Sequence, residues 1–177
     1  EFIIGGSADV AKSVMTNLDN STCISKDSFD GQIMNYGIRE FAMGSINNGI
    51  LLHGGLSTFG GSFLVFSDYM KPSLRMASLM GLPVTYLFSH DSIAVGEDGP
   101  THQPIEQIGS LRQIPDLNVC RPCDSHELVA CYNIALNSNL PTCLILSKQD
   151  LTEQKIEPAK AQKGGYIVEK DSGKVQF

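Results

Sequence analysis

Two of the four histidines fall within one fifteen-residue stretch, HDSIAVGEDGPTHQP, running from His90 to Pro104. Three carboxylates accompany them, and two glycines and two prolines keep the stretch from being a helix or a strand. His90, Asp98 and His102 have the residue types of a zinc site with an open position for water, which would make the protein a metal-dependent hydrolase. Their spacing lacks the i, i+4 geometry of a familiar helical zinc site. The same side chains suit hydrogen bonding to a polyhydroxylated, phosphorylated substrate. The plain structural alternative is that His90 caps a strand while Asp98 organises an Asp-Gly-Pro turn.

Other residues invite similar double readings. Glu40 falls in the first turn of an apolar-faced helix, where a carboxylate ordinarily answers the helix dipole. Its functional alternative is a buried acid of raised pKa used for proton transfer. Phe63, Phe66 and Tyr69, at i, i+3 and i+6, are either core or a flat wall for a heteroaromatic ring. CRPC, Cys120 to Cys123, has the spacing of half a zinc site or a redox pair. No second pair accompanies it, and it is read at a strand end rather than a helix start, so these cysteines are taken as incidental. HGGLSTFGGSF lacks the Lys-Ser/Thr of a phosphate loop and is read as tight turns.

The elements that must position these groups alternate. EFIIGG, GSFLVF, LPVTYLFSH, LNVCRP and PTCLILS read as strands. Between them, helices are expected over Arg39–Gly55, with a Met43, Ile46, Ile50 stripe, and over DYMKPSLRMASLMG, with Pro72 in its first turn and Gly81 as its cap. Two more are expected over PIEQIGSLRQI and SHELVACYNIALNS, the latter capped by Asp124 or Ser125. Asn17 to Gln32 is polar and read as mobile. The pattern predicts an α/β domain of three layers, α/β/α, around a mostly parallel sheet. Residues 1–150 form this domain, and 151–177 read as a linker or the start of a missing C-terminal domain. In such sheets ligands bind at the carboxyl ends of the strands. Ser7, Asp9, His90, Asp91, Arg121 and Lys148 all fall there.

Composition narrows the partners. The net charge is −6, with 8 basic and 15 acidic residues in positions 1–150. A net-acidic body without basic clusters excludes nucleic acid and anionic membrane as expected partners. No run spans a bilayer and no signal peptide opens the chain. The odd count of five cysteines points to a reduced, cytoplasmic setting. The start at EFIIGG without Met suggests an excised piece.

GGSADVAKS, YGIREFAMGSINNGI, GGSFLVFSDYMKPSLRMASLMGLPV, SHDSIAVGEDGPTHQPIEQIGSLRQIPDLNVCRP and PTCLILSKQD, in this order, resemble the central pyrimidine-binding domain of transketolases across about residues 2–150. Dihydroxyacetone synthases are close alternatives. Deoxyxylulose-phosphate synthases and pyruvate dehydrogenase beta subunits share the fold and the glutamate but not this loop. The resemblance implies a thiamin diphosphate-binding fold of the pyrimidine type. It also implies thiamine-diphosphate-dependent transfer of a two-carbon ketol unit from a ketose phosphate to an aldose phosphate, within the pentose phosphate pathway. Glu40 would hydrogen-bond N1′ of the aminopyrimidine, and Asp9, Phe63, Phe66 and Tyr69 would contact the cofactor. His102 and His90 would serve catalysis. Ser13, His90, Asp98, His102 and Lys148 would bind the sugar phosphate, Asp98 selecting configuration beside the carbonyl.

Lys148 stands where the family has an arginine on the substrate phosphate, keeping charge but losing the bidentate fork. Phe41 replaces the usual histidine after the glutamate, a change read as neutral. The family holds the diphosphate and its Mg²⁺ or Ca²⁺ on a preceding domain, whose Gly-Asp-Gly signature does not occur here, so no metal ligand is assigned to this chain. The implied partner is that domain of the same enzyme, met across a homodimer. The isolated chain is expected to be inactive and to bind cofactor weakly, whether it comes from a full-length or a split transketolase.

Overall fold

Residues 2–154 and 157–167 are described by the computed structural model. Six strands form one all-parallel sheet in the order β2-β1-β3-β4-β6-β5: β1 (Ile3–Ser7), β2 (Ile33–Asn35), β3 (Ser57–Phe63), β4 (Thr85–Ser89), β5 (Asn118–Cys120) and β6 (Thr142–Ile145). The helices are α1 (Ala11–Val14), α2 (Glu40–His53), α3 (Ser67–Leu79), α4 (Gln107–Leu111), α5 (Ser125–Asn137) and α6 (Pro158–Ala161). Alternate residues of β6 enter different layers. Cys143 and Ile145 pack with Met43 of α2 and Met70, Leu74 and Ala77 of α3, whereas Leu144 packs with Cys131 and Ala135 of α5. That alternation is the period-two geometry of a strand covered on both faces, and it makes the three layers.

Several expectations need correction. Strand β2 is additional to the expected strands, and its three residues after a polar loop carry too little periodicity to signal it. HGGLSTFGGSF is not a set of turns, since Ser57–Phe63 is β3, and LVF continues as a 3₁₀ turn over Leu64–Phe66. Pro72 lies past the first turn of α3, which begins at Ser67. Helix α4 is much shorter than PIEQIGSLRQI, and the Gln107 side chain accepts from the Ile105 N–H at its entry, 2.9 Å. Gly81 does follow α3 with φ 61°, as a C-terminal glycine should.

The stripe expected on α2 is also shifted. Helix α2 buries Glu40, Met43, Gly44, Asn47 and Asn48, while Ile46 is exposed. Burying two asparagines is tolerable because three of their four polar side-chain atoms find partners, Asn47 Nδ2 being the exception among the described residues. Asn47 Oδ1 accepts from the Tyr36 and Thr58 hydroxyls, each at 2.9 Å, and Asn48 Nδ2 donates to the Ser73 carbonyl at 3.0 Å. Burial raises the Tyr36 phenol to about 12, so it stays a donor.

After β6 the chain does not leave the domain at once. The Gln154 N–H donates to Asp124 Oδ2 at 2.9 Å, and Ser125 Oγ donates to Glu153 Oε2 at 3.0 Å. The Tyr166 hydroxyl donates to Glu127, so this segment lies along the start of α5. Residues 155–156 and 168–177 of the stretch read as a linker or the start of a missing domain lie outside the described residues.

Candidate active site

The chain reverses its direction across the sheet at β1, because β2 pairs with one side of β1 and β3 with the other. The carboxyl ends of strands at such a reversal frame the usual crevice of an open parallel sheet. A cavity of about 530 Å³ opens there. Ala8, Asp9 and Val10 come to it from the loop after β1, and Ile38 and Glu40 from the entry to α2. Phe66 and Tyr69 come from the junction of β3 with α3, and His102 from the loop after β4.

Glu40 is the first residue of α2 and only 7% exposed. Its Oε1 accepts from Ser62 Oγ at 3.3 Å, the one hydrogen bond of this carboxylate among the described residues. A buried carboxylate with two oxygens has room for further donors, and this one borders a cavity. Ser62 was not singled out from the sequence. Its only signal is its place on β3, opposite the first turn of α2.

Three aromatic pairs tie the loop to the cavity wall. The His90 ring stacks on Phe63 with centroids 3.8 Å apart. His102 presents an edge to Phe66 at 5.3 Å and to Phe63 at 6.1 Å, and Phe66 in turn lies 6.2 Å from Tyr69. His90 has φ 59°, in the left-handed region that costs a non-glycine residue on the order of 1 kcal/mol. Its Nδ1 meets Ser89 Oγ at 2.8 Å, and His102 Nδ1 meets Thr101 Oγ1 at 2.8 Å. Asp98 and Lys148 lie outside the cavity lining but close enough to His90 to act on its charge, with Lys148 Nζ 3.6 Å from Asp98 Oδ2 and 2.5 Å from Glu97 Oε1.

Burial lowers the His90 pKa from its ordinary value near 6.5, and Lys148 and His102 add to this against the opposing pull of Asp98 and Glu97. The folded state therefore favours the neutral imidazole. As pH falls below about 6.5, the unfolded chain takes up this proton first, so the contribution is present above that pH and lost below it. Thermal melts should show that His90→Gln loses less stability than wild type between pH 7.5 and 5.5. Equal losses would remove this account of His90.

The remaining sequence candidates divide. Ser13 is exposed on α1, outside the cavity lining. Arg121 is paired with Asp91 at 2.7 Å and lines a separate cavity of about 480 Å³. The hydrolase arrangement is not formed. Among the described residues, the His, Cys, Asp or Glu side chains grouped closely enough to ligate one metal are Asp124, His126 and Glu153, not the loop trio. CRPC also needs correction, since Cys123 immediately precedes Asp124, which caps α5 through the Glu127 N–H at 2.8 Å. The helix start does not activate the thiol. Burial and the neighbouring Glu127 push Cys123 up to about 11. No helix among the described residues is long and apolar enough to cross a membrane.

Residues 1–154 match the family described as the transketolase pyrimidine-binding domain. The chain is 51% identical over 174 residues to the transketolase of Bacillus subtilis (strain 168), a match covering 96% of this chain and 26% of that protein. Two solved structures are similarly related, each 39% identical. One is transketolase from Leishmania mexicana, with a TM-score of 0.93 over 97% of this chain and 26% of that one. The other is transketolase from Pichia stipitis in complex with sedoheptulose 7-phosphate, with a TM-score of 0.92 over 96% of this chain and 26% of that one. The chain thus spans about a quarter of the length of these relatives. Family match and near-complete coverage of the α/β body agree, and the chain belongs to the transketolase family as its pyrimidine-binding domain.

Proposed function

We propose that this domain supplies the cofactor-activating and sugar-binding side chains of a thiamine-diphosphate-dependent enzyme that moves a two-carbon ketol unit from a ketose phosphate to an aldose phosphate. The observation carrying this reading is Glu40, a buried carboxylate with spare acceptor capacity, bordering an aromatic-walled cavity at the sheet's reversal point. That cavity suits an aminopyrimidine. Phe66 and Tyr69 offer flat faces, His102 an edge, and Glu40 a hydrogen-bond partner for N1′. When bound, the cofactor supplies a nucleophilic carbon and an electron sink.

With the cofactor bound, Glu40 would hold a proton at N1′, which would favour the form of the aminopyrimidine whose exocyclic nitrogen can accept one. Asp9 and the aromatic side chains hold the ring in place and exclude water, Phe63 acting from behind through its stack with His90. His102, edge-on to Phe66, hydrogen-bonds groups near the reacting carbons, and His90 and Asp98 hold sugar hydroxyls. Lys148 and Ser13 receive the phosphate end. We assign the diphosphate and its Mg²⁺ or Ca²⁺ to another domain of the enzyme, since this chain spans about a quarter of the length of its transketolase relatives.

Exposed Ile38, Phe41, Tyr69 and Ile105 give apolar surface for that domain to cover, and we place it on the partner of a homodimer. Five free cysteines suit a reducing compartment, the cytoplasm. The test is to supply the full enzyme with cofactor, divalent ion, ketose phosphate and aldose phosphate, and to weigh the products. An aldose phosphate lengthened by two carbons is the expected result. No lengthened product would overturn the proposal.

A further inference from the structure

Lys148 carries one charge and three N–H donors, and the structure surrounds its ammonium with three acceptors. Nζ lies 2.5 Å from Glu97 Oε1, 3.3 Å from the Val95 carbonyl and 3.6 Å from Asp98 Oδ2. Both carboxylates raise its pKa, the Glu97 hydrogen bond most. The cation assigned to the substrate's phosphate is therefore already occupied. An arriving dianion meets an ammonium with two of its three donors already engaged and two negative charges beside it.

The two carboxylates are not equally held. The Glu97 side chain is 78% exposed and makes its one hydrogen bond to Lys148 among the described residues. The Asp98 side chain is about half as exposed, at 37%. Glu97 can swing into water without leaving any buried group unpaired, so it is the partner that yields.

We propose that Glu97 is a built-in competitor for the substrate's phosphate. It exchanges with that phosphate on Lys148 and thereby weakens this enzyme's preference for phosphorylated over unphosphorylated sugars. The inference rests on the phosphate role given to Lys148 above. Lysine makes the competition effective, because a single point charge cannot serve a carboxylate and a phosphate from separate faces as a guanidinium fork can. Displacing an exposed partner from an ion pair is a modest penalty, and it corresponds to about a 2–5-fold change in apparent affinity.

The experiment uses the full enzyme carrying Glu97→Gln, with KM measured for a ketose phosphate and for its unphosphorylated analogue, and Ki for inorganic phosphate. The expected result is that KM for the ketose phosphate and Ki for phosphate both fall about 2–5-fold, while KM for the unphosphorylated ketose holds. A rise in the first two, or a parallel shift for both ketoses, would mean that Glu97 only braces the loop and would overturn the proposal. Lys148→Met separates the premise from the inference. Loss of the preference for the phosphorylated ketose supports the premise, and an unchanged Ki for phosphate refutes both. Two-carbon transfer by the wild-type enzyme reports on the proposed function independently of either variant.

Discussion

Glu40→Gln in the full enzyme is expected to lower ketol transfer by about 10²–10⁴-fold, the range over which a positioned acid–base group contributes. The change is nearly isosteric. The glutamine amide can still face Ser62 Oγ, which now lies 3.3 Å from the carboxylate, and the side chain stays buried at the start of α2. What it loses is the capacity to exchange a proton with N1′. The melting temperature should therefore stay within a few degrees of wild type while turnover collapses. A variant with wild-type turnover would remove the proton-relay role. Parallel loss of melting temperature and activity would make Glu40 a structural residue.

The second large effect is on the frame. Gly6 pairs with Gly60 across β1 and β3 and with Met34 across β1 and β2. A Cβ placed at Gly6 would meet the Met34 carbonyl oxygen at 2.0 Å, a backbone atom that cannot rotate away. Gly6→Ala must therefore separate β1 from β2, and on the same argument Gly6→Val is worse. A cost of about 3–5 kcal/mol is expected, at the upper end of overpacking effects and a large share of an ordinary domain's stability. Urea denaturation should show the midpoint falling sharply. An unchanged midpoint would contradict the packing described for β1. Asp9 and Val10 follow this strand into the cavity, so cofactor binding should weaken with it.

These residues also show what was legible in the chain. The loop from His90 to Pro104 declared itself because histidines, carboxylates, glycines and prolines rarely crowd into so few residues after an apolar strand. Glu40 and the Phe63, Phe66, Tyr69 set were visible by type, but the convergence of Glu40, Phe66 and Tyr69 on one cavity, with Phe63 outside its lining, depends on the sheet bringing the ends of β1 and β3 together. The buried face of α2 is hidden in the sequence because Asn47 and Asn48 look solvent-facing. Their burial depends on Tyr36, Thr58, Ser73 and Tyr86, whose separation in sequence hides the pairing. The Lys148 pair with Glu97 spans 51 positions and leaves no local pattern. The glycines of β3 read as turns because turn chemistry and close strand packing both select a residue without a Cβ.

The central claim is that this chain contributes part of a composite active site, completed by a diphosphate-binding domain. The most direct measurement compares ketol transfer by this domain alone with transfer by the same domain joined to its diphosphate-binding domain. Both reactions receive thiamine diphosphate, Mg²⁺, a ketose phosphate and an aldose phosphate. The account predicts no turnover by the domain alone and two-carbon transfer by the joined protein. Turnover by the domain alone, or none by a folded, cofactor-loaded joined protein, would contradict it.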